Sequence, residues 1–317
     1  MRHCRGLSVV ALVMAMVMSA HGPAHAQSRE QLWAWCNAIS QTNLSISGCT
    51  AIIDSPRQPG ENLGPAYLAR GFGFERTGAI DKALADYDAA VAAQPDNPLA
   101  YRLRGTASGR AGKDDRAMAD LSEAIRLNPR DAVALATRGI GYNRMGSFDK
   151  AIADLNTAVD LQPAFAQAYQ DRGAAFAGKE DYAKAIDDFS EVIRLRPSDA
   201  RAYNDRCWYR ALSGGLKEAL PDCNEALLIA PAQPTLLDTR AFVYLKLERY
   251  EEAIAEYTAA LRLAPGEASS LYGRGIAQFR RFNRVDGARD IAEAQRIDPQ
   301  IADKFQKWGV PAAAATK

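Results

Sequence analysis

The sequence contains only three histidines, and all of them lie within its first 26 residues. From Gln27 onward the chain has no imidazole group. This part of the chain therefore cannot supply a serine–histidine or cysteine–histidine nucleophile pair, nor a metal site that uses imidazole ligands. Most hydrolase mechanisms are excluded for it.

Signatures of nucleotide and nucleic-acid binding are also missing. The glycine pair Gly214-Gly215 is not followed by the lysine and hydroxyl residue of a phosphate-binding loop, so we interpret it as a turn. The 39 basic and 38 acidic residues are interleaved along the chain, whereas nucleic-acid binding needs a concentrated basic surface. Paired carboxylates such as Asp187-Asp188 are interpreted as surface or interhelical groups. The sequence thus predicts no enzyme, cofactor, metal site or nucleic-acid partner.

The one long apolar run lies at the N-terminus. Two arginines precede the run from Leu7 to Ala20, and an Ala-His-Ala triplet that ends at Ala26 fits a small-x-small cleavage site. About fourteen apolar residues are too few for a membrane anchor, which needs roughly twenty. We expect residues 1–26 to be a secretory signal peptide cleaved before Gln27. The mature protein would be periplasmic or secreted, without a membrane-spanning segment.

A repeat of 34 residues occupies most of the remaining chain. Seven blocks follow one another from Gly64 to Ile301 without insertion or deletion, and the same residue types return at the same positions of each block. Repeat position 8 is small in every block: Gly71, Gly105, Gly139, Gly173, Cys207, Ala241 and Gly275. Position 20 is Ala83, Ala117, Ala151, Ala185, Ala219, Ala253 and Gly287. Position 32 is Pro95, Pro129, Pro163, Pro197, Pro231, Pro265 and Pro299.

Each block predicts a pair of helices. In the block 166–199, segments with helical periodicity run from Ala168 to Gly178 and from Tyr182 to Leu195, with a polar turn between them. The small residues are expected where two antiparallel helices approach closely. The proline at position 32 ends each block because it cannot continue a helix.

This period and these positions resemble the tetratricopeptide repeat family over residues 64–301. The resemblance implies an all-α fold, a right-handed superhelical solenoid of antiparallel helical hairpins. It divides the chain into a signal peptide (1–26), a degenerate N-terminal capping hairpin (27–63), seven repeats (64–97, 98–131, 132–165, 166–199, 200–233, 234–267, 268–301), and a C-terminal capping helix with a flexible tail (302–317). It also implies that the first helix of each block lines a concave face that binds a peptide or protein.

Four cysteines remain after Gln27, an even number for an oxidising compartment. Cys207 and Cys223 occupy two positions that face each other across one hairpin in this family. Cys36 and Cys49 fall in a shorter helical pair, expected over 28–40 and 44–54. Of three connectivities we favour Cys36–Cys49 and Cys207–Cys223, because the others tie together distant blocks. A redox pair or thiolate metal site is the weaker alternative, since neither pair has the two-residue spacing.

A charged pattern also follows the repeat. Position 7 is arginine in every block: Arg70, Arg104, Arg138, Arg172, Arg206, Arg240 and Arg274. Position 23 is acidic in every block: Asp86, Asp120, Asp154, Asp188, Asp222, Glu256 and Asp290. Many tetratricopeptide repeats carry an aliphatic residue at position 7. We predict arginine–carboxylate bridges between helices, within a block or to its neighbour. The alternative is an anion-binding stripe.

The family's geometry places repeat positions 2, 5, 9, 12 and 13 on the concave face. The expected groove residues are Leu68, Phe72, Arg102, Asn143, Arg144, Gln170, Asn204, Trp208, Asp238, Phe242, Tyr272, Ile276 and Phe279. The C-terminal part of this set is more aromatic, and exposed aromatic groups in a groove are good anchors. The alternative is that several of them pack against the next helix or beneath the C-terminal segment.

The end of the array has its own signals. Ile301, Phe305 and Trp308 share one face of a short helix that extends from about Pro299 to Trp308. This apolar face is expected to cover the last hairpin, and the tail from Gly309 is expected to be flexible.

The leading hypothesis is a non-enzymatic interaction scaffold of the periplasm that binds a peptide or protein partner in its groove. The alternative is a binding protein for cell-wall fragments or lipids, in which Trp208 and Tyr272 stack on the ligand.

Overall fold

The computed structural model describes residues 27–311. Within this range the chain forms seventeen α-helices and no β-strand. The predicted signal peptide and most of the predicted tail lie outside the described residues. No helix between residues 27 and 311 is both long enough and apolar enough to cross a bilayer.

The helices form hairpins in regular succession. An N-terminal hairpin of α1 (Arg29–Cys36) and α2 (Thr42–Asp54) comes before the repeats, and the seven hairpins of the repeats are numbered one to seven below. In each of the next seven, a 13-residue first helix is followed by a 14-residue second helix. They are α3 (Gly64–Arg76) and α4 (Ile80–Ala93), α5 (Pro98–Arg110) and α6 (Asp114–Leu127), α7 (Ala132–Arg144) and α8 (Phe148–Leu161), α9 (Ala166–Gly178) and α10 (Tyr182–Leu195), α11 (Ala200–Leu212) and α12 (Leu216–Ile229), α13 (Pro234–Lys246) and α14 (Tyr250–Leu263), and α15 (Ala268–Arg280) and α16 (Arg284–Ile297). A short helix, α17 (Ile301–Lys307), ends the array.

The turn inside each of these seven hairpins contains one residue in the left-handed conformation. Repeat position 15 has a positive φ throughout: Gly78, Gly112, Gly146, Glu180, Gly214, Glu248 and Phe282. A left-handed residue ends a helix by turning the chain out of the α conformation, and glycine adopts it without steric cost. Four blocks therefore use glycine at this position.

The expected close approach of paired helices is confirmed at repeat position 8. A Cβ atom added to Gly139 would lie 2.7 Å from Cγ of Leu155, and one added to Gly71 would lie 2.7 Å from Cε1 of Tyr87. Interiors are packed too densely to absorb such an overlap. In the five hairpins with glycine at position 8, this glycine and the large residue at position 24 therefore form one packing unit across the hairpin.

The first helices face the inside of the curve. Most first helices pack against the first helix of the next hairpin, as α7 does against α9 and α13 against α15, while no comparable contact joins successive second helices within residues 27–311. A stack whose elements are closer on one side bends toward that side. The first helices consequently line the concave face, as the solenoid prediction requires.

Both favoured cysteine pairs are present as disulfides. Cys36 is bonded to Cys49, and Cys207 to Cys223. The α1 helix ends at Cys36, four residues before the predicted end of that segment, because the chain turns over Asn37 to reach α2. Cys207 and Cys223 occupy positions 8 and 24, so this disulfide replaces the small–large packing unit of the other hairpins.

Candidate protein-binding groove

The predicted arginine–carboxylate bridges hold each hairpin together. In five hairpins the position 7 guanidinium donates two parallel hydrogen bonds to the position 23 aspartate; in the α9–α10 hairpin, Arg172 Nε lies 2.9 Å from Asp188 Oδ2 and Nη2 lies 2.6 Å from Oδ1. Bidentate pairs of this kind fix geometry as well as charge. The structural interpretation of this pattern is confirmed, because the arginines are already paired.

The same arginines also reach the preceding hairpin. Arg172 Nη1 donates to Asn156 Oδ1 at 2.8 Å, and the arginines of the other later hairpins use Nη1 in the same way on repeat position 25 of the block before. The acceptors are Asp88, Ser122, Asn156, Ser190, Asn224 and Thr258. Repeat position 25 was not predicted to take part in these contacts, although it carries a signal: it is polar in six blocks and becomes Ala292 in the last block.

The inner face of the first four hairpins carries polar side chains in small networks. Arg102 forms an ion pair with Asp131, Nε to Oδ2 3.0 Å. Asn143 donates from Nδ2 to the backbone oxygen of Asp171 at 2.7 Å, which links the third and fourth hairpins. Arg144 is exposed.

The remaining expected groove residues of these hairpins differ in exposure. Phe72 and Gln170 are partly exposed, whereas Leu68 is buried in the core. This part of the groove therefore offers a mixed polar and apolar surface.

The inner face of the last three hairpins is mostly covered. Phe242, Tyr272 and Ile276 are no more than 2% exposed, and Asn204 is buried as well. The expectation that these side chains line an open groove is thus not met; the packing alternative describes them. Phe279 turns into its own hairpin, where its ring lies over Gly287. Trp208 and Asp238 are partly buried.

The cover is the chain's own C-terminal segment. The Phe305 ring lies 4.9 Å from the Tyr272 ring and 5.9 Å from the Phe242 ring, centroid to centroid. The Trp308 ring stands edge-on to the Trp208 ring at 5.0 Å. The α17 helix was expected to cover the last hairpin, and it does contact α15 and α16. It also crosses the concave face as far as the first helix of the fifth hairpin.

Two polar contacts fix the far end of this segment. Lys246 Nζ donates to the backbone oxygen of Trp308 at 3.0 Å and to that of Ala211 at 2.8 Å. Lys307 forms an ion pair with Glu180 in the turn of the fourth hairpin, 2.6 Å from Nζ to Oε1. The side chains that a sugar or acyl ligand would stack on, Trp208 and Tyr272, are therefore engaged by the protein itself.

Three aspartates follow one another along the inner face. Burial raises the pKa of Asp171, Asp205 and Asp238 to about 6 in each case. The cost of burying the Asp171 carboxylate is partly offset by Gln167, whose Nε2 donates to both carboxylate oxygens. Of the three, only Asp238 was expected in the groove, because Asp171 and Asp205 occupy repeat position 6, which was not among the expected groove positions.

Among the cavities of the inner face, two have the volume of a side chain or a small ligand. One of about 300 Å³ lies between the second and third hairpins, with Met118, Leu121 and Ile140 in its lining and Arg110 and Arg144 at its rim. The other, of about 280 Å³, lies between α11, α13 and the C-terminal segment.

Comparison with known proteins agrees with this architecture. The sequence profile described as tetratricopeptide repeat matches residues 68–132, 137–200, 171–234 and 239–300. No curated protein matches the sequence.

Solved structures show the same fold. A tetratricopeptide repeat protein from Parabacteroides merdae superimposes with a TM-score of 0.60 at 21% identity, over 78% of this chain and 98% of that one. The Pseudomonas aeruginosa pilF protein gives 0.55 at 20% identity, over 66% and 96%. A chain of the APC/C hetero-tetramer Cut9-Hcn1 gives 0.61 at 16% identity, over 89% and 56%.

Proposed function

The chain belongs to the tetratricopeptide repeat family, and we propose that it is a non-enzymatic scaffold of an exported compartment that binds a segment of a partner protein on its concave face. The observation that carries this proposal is the division of that face. The part formed by the first four hairpins is open, whereas the part formed by the last three is filled by α17.

The contacts of α17 with the last three hairpins are our model for how a partner segment binds to the open part of the concave face. Phe305 and Trp308 project from a short helical segment and insert between side chains of three successive first helices. This is the helix-in-groove mode of peptide recognition, in which a few apolar anchors supply most of the affinity. A partner segment that carries such an anchor can use the cavity between the second and third hairpins in the same way.

The rim of that cavity indicates the chemistry of the partner. Arg110 pairs with Glu75 and Arg144 pairs with Asp114, yet the two arginine side chains remain 61% and 53% exposed. In the Arg144–Asp114 pair the carboxylate is 49% exposed as well, and such exposed pairs contribute little to stability, so Arg144 can exchange partners at low cost. Glu75, by contrast, is only 7% exposed and retains Arg110. The proposed ligand is therefore a segment with one apolar anchor beside an acidic residue that pairs with Arg144.

The two disulfides support an oxidising compartment, since such bonds are rare in cytosolic proteins. The proposed export relies on residues 1–26 as a cleaved signal peptide. The test is the intact mass of the protein recovered from the cell envelope. A chain that begins at Gln27 supports export with cleavage, and a chain that retains residues 1–26 contradicts the cleaved signal peptide.

The groove is tested by capture of a partner from an envelope extract with a photo-crosslinker at residue 137. Thr106→Trp is expected to fill the cavity, because Thr106 lies in its lining. The matched control is Thr157→Trp on the outer helix α8. In both sites the native hydroxyl donates to the backbone oxygen four residues earlier. Capture by the native protein and the control but not by Thr106→Trp supports the groove; equal capture by all three contradicts it.

A further inference from the structure

The cavity of about 280 Å³ beside the C-terminal segment has a polar floor that the protein leaves incompletely satisfied. It is lined by carboxylates of Asp205 on α11 and Asp238 on α13. Asp238 accepts hydrogen bonds from the hydroxyls of Ser269 and Ser270. Neither hydroxyl carries charge, and no lysine or arginine of residues 27–311 forms an ion pair with Asp238.

The negative charge of the Asp205 carboxylate has only a weak counter-charge. The nearest cationic atom paired with it is Arg201 Nε, 3.7 Å from Oδ2, and the Arg201 side chain is 78% exposed. Burial raises the pKa of both carboxyl groups to about 6, so both are ionised above that pH. Two negative charges therefore face one small cavity.

Two further acceptors in this cavity have no partner. Asn204 is 7% exposed and Tyr257 is completely buried, and among the described residues neither Oδ1 of Asn204 nor the hydroxyl of Tyr257 forms a hydrogen bond. Both residues belong to the cavity lining. A buried polar atom left without a partner costs roughly 1–3 kcal/mol, so such atoms in a native protein call for a ligand or a role.

The remaining walls are aromatic. Trp208 lies 4.8 Å from Phe242 and 5.0 Å from Trp308, measured between ring centroids. The faces of aromatic rings attract cations, most strongly when water is excluded. The exposed residue Thr235 also borders the cavity, which therefore reaches the solvent.

We propose that this cavity is a binding site for an organic cation, a guanidinium or alkylammonium group. Such a group donates several N–H bonds at once, to Asp205, Asp238, Asn204 and Tyr257, while its hydrocarbon part lies against the tryptophans. Guanidinium and ammonium groups carry only donors, which matches a floor made of acceptors. The cation is a lysine or arginine side chain of the bound partner, an assignment that rests on the proposed function, or a free amine.

The site is tested with two probes that differ only in charge. N-acetyl-arginine methylamide carries the guanidinium, and the citrulline analogue carries a neutral urea of nearly the same shape. We expect the arginine probe to quench the fluorescence of Trp208 and Trp308 in a saturable titration at pH 7.5. The citrulline probe is expected to bind at least tenfold more weakly. Equal binding of the two probes, or no binding of either, overturns the proposal.

Variants locate the binding within the cavity. Asp238→Asn removes the charge but keeps an oxygen for Ser269 and Ser270, and it is expected to weaken the arginine probe at least tenfold. The control, Asp187→Asn, removes a charge from an exposed position on α10 and is expected to change nothing. If Asp238→Asn fails to fold, Asp205→Asn takes its place. An equal loss in the Asp187→Asn control contradicts a specific site.

The two sources of the cation are separated by competition. An excess of the arginine probe is added to the envelope extract before photo-crosslinking at residue 137. Loss of partner capture identifies the ligand as a basic side chain of the partner, and unchanged capture identifies it as a free amine. Because Thr106→Trp alters only the second and third hairpins, the probe titration can fail while partner capture succeeds, or the reverse.

Discussion

Arg172 and Asp188 face each other across one helical hairpin, and the same guanidinium reaches Asn156 of the hairpin before it. One side chain thus joins three helices. Since Asp188 is 3% exposed, its charge depends on this arginine. The position of each hairpin relative to its predecessor is fixed by a polar contact as well as by apolar packing.

Removal of the arginine alone is expected to lower the free energy of unfolding more than removal of both members of the pair. Arg172→Leu leaves the carboxylate of Asp188 buried without a counter-charge, which lowers the free energy of unfolding by about 3 kcal/mol. Arg172→Leu combined with Asp188→Leu is expected to lie within about 1 kcal/mol of the native protein. Urea unfolding of the two single variants and the double variant measures the coupling. If the losses of unfolding free energy in the two single variants add up in the double variant, the two side chains are not coupled. If the double variant is stable but no longer captures the partner, the arginines form an anion-binding stripe.

The sixth hairpin contains a weaker version of this bridge. Glu256 is one methylene longer than the aspartates, and it accepts one bond from Arg240, 2.5 Å from Nη2 to Oε1. Arg240 Nε and Glu256 Oε2 form no hydrogen bond with any residue between 27 and 311. Glu256→Asp is expected to restore two parallel bonds and to raise the free energy of unfolding by about 1 kcal/mol. The reverse exchange, Asp188→Glu, is expected to lower it. A lower melting temperature for Glu256→Asp would refute this explanation.

The Cys207–Cys223 disulfide stands where five other hairpins have a glycine packed against a large residue. Replacing both cysteines by alanine is expected to cost about 3 kcal/mol. Cys207→Gly with Cys223→Leu copies Gly139 and Leu155, and it is expected to recover part of this loss and to make the fifth hairpin insensitive to reductant. Melting temperatures with and without dithiothreitol test both variants. No advantage of the glycine–leucine pair over the alanine pair would show that the two packing units are not equivalent.

The buried carboxyl of Asp238 makes stability depend on pH. Its pKa is raised from 3.8 to about 6, so the folded protein holds this proton more tightly than the unfolded chain does. The resulting stabilisation is complete below about pH 4 and is lost as the pH rises through 6. Nearby Glu267 raises the pKa of Asp238 further, because like charges disfavour ionisation, while Tyr257 remains neutral over this range.

Asp238→Asn is accordingly expected to be more stable than the native protein at pH 7.5, by at most about 3 kcal/mol, and equal to it at pH 4. Chemical unfolding at several pH values between 4 and 7.5 gives the comparison, with Asp187→Asn as control. A lower stability of Asp238→Asn at pH 7.5 would mean that the carboxylate is better solvated than its burial indicates.

Release of the C-terminal segment is expected to open the aromatic half of the groove. Phe305 is 1% exposed, and Phe305→Ala removes contacts with Tyr272 and Phe242. We expect the free energy of unfolding to fall by up to about 3 kcal/mol. We also expect faster amide exchange in α13 and α15 and stronger binding of a hydrophobic dye. Phe282→Ala, at a residue that is 85% exposed, serves as control. Unchanged exchange in α13 and α15 would show that α17 does not protect them.

The bounds of the hairpins could be predicted closely from the sequence because the same residue types recur at the same positions in seven blocks. The small residue at position 8 was expected where paired helices approach closely, and the charge pair at positions 7 and 23 was expected as a bridge between helices in preference to an anion-binding stripe; the structure confirms both. In the block 166–199, only the start of α9 differs, at Ala166 instead of Ala168.

The groove was harder to predict. The pattern of Ile301, Phe305 and Trp308 defines an apolar face but not the surface against which that face packs. The burial of Tyr272 and Phe242 follows from the direction of α17, which depends on contacts of residues up to about a hundred positions apart, such as Trp208 and Trp308. The repeat positions predict contacts between adjacent helices of the array. The α17 helix follows the last repeat and packs on the concave face, so the repeat pattern does not predict its contacts.

The return of α17 across the concave face also changes what a binding measurement means. A segment tethered to the surface that it covers competes at an effective concentration in the millimolar range. Any external segment that uses the last three hairpins must displace it. The affinity observed there is then a ratio of two affinities, one for each competitor. Truncation before Ile301 would strengthen binding without altering a single atom that the external segment touches.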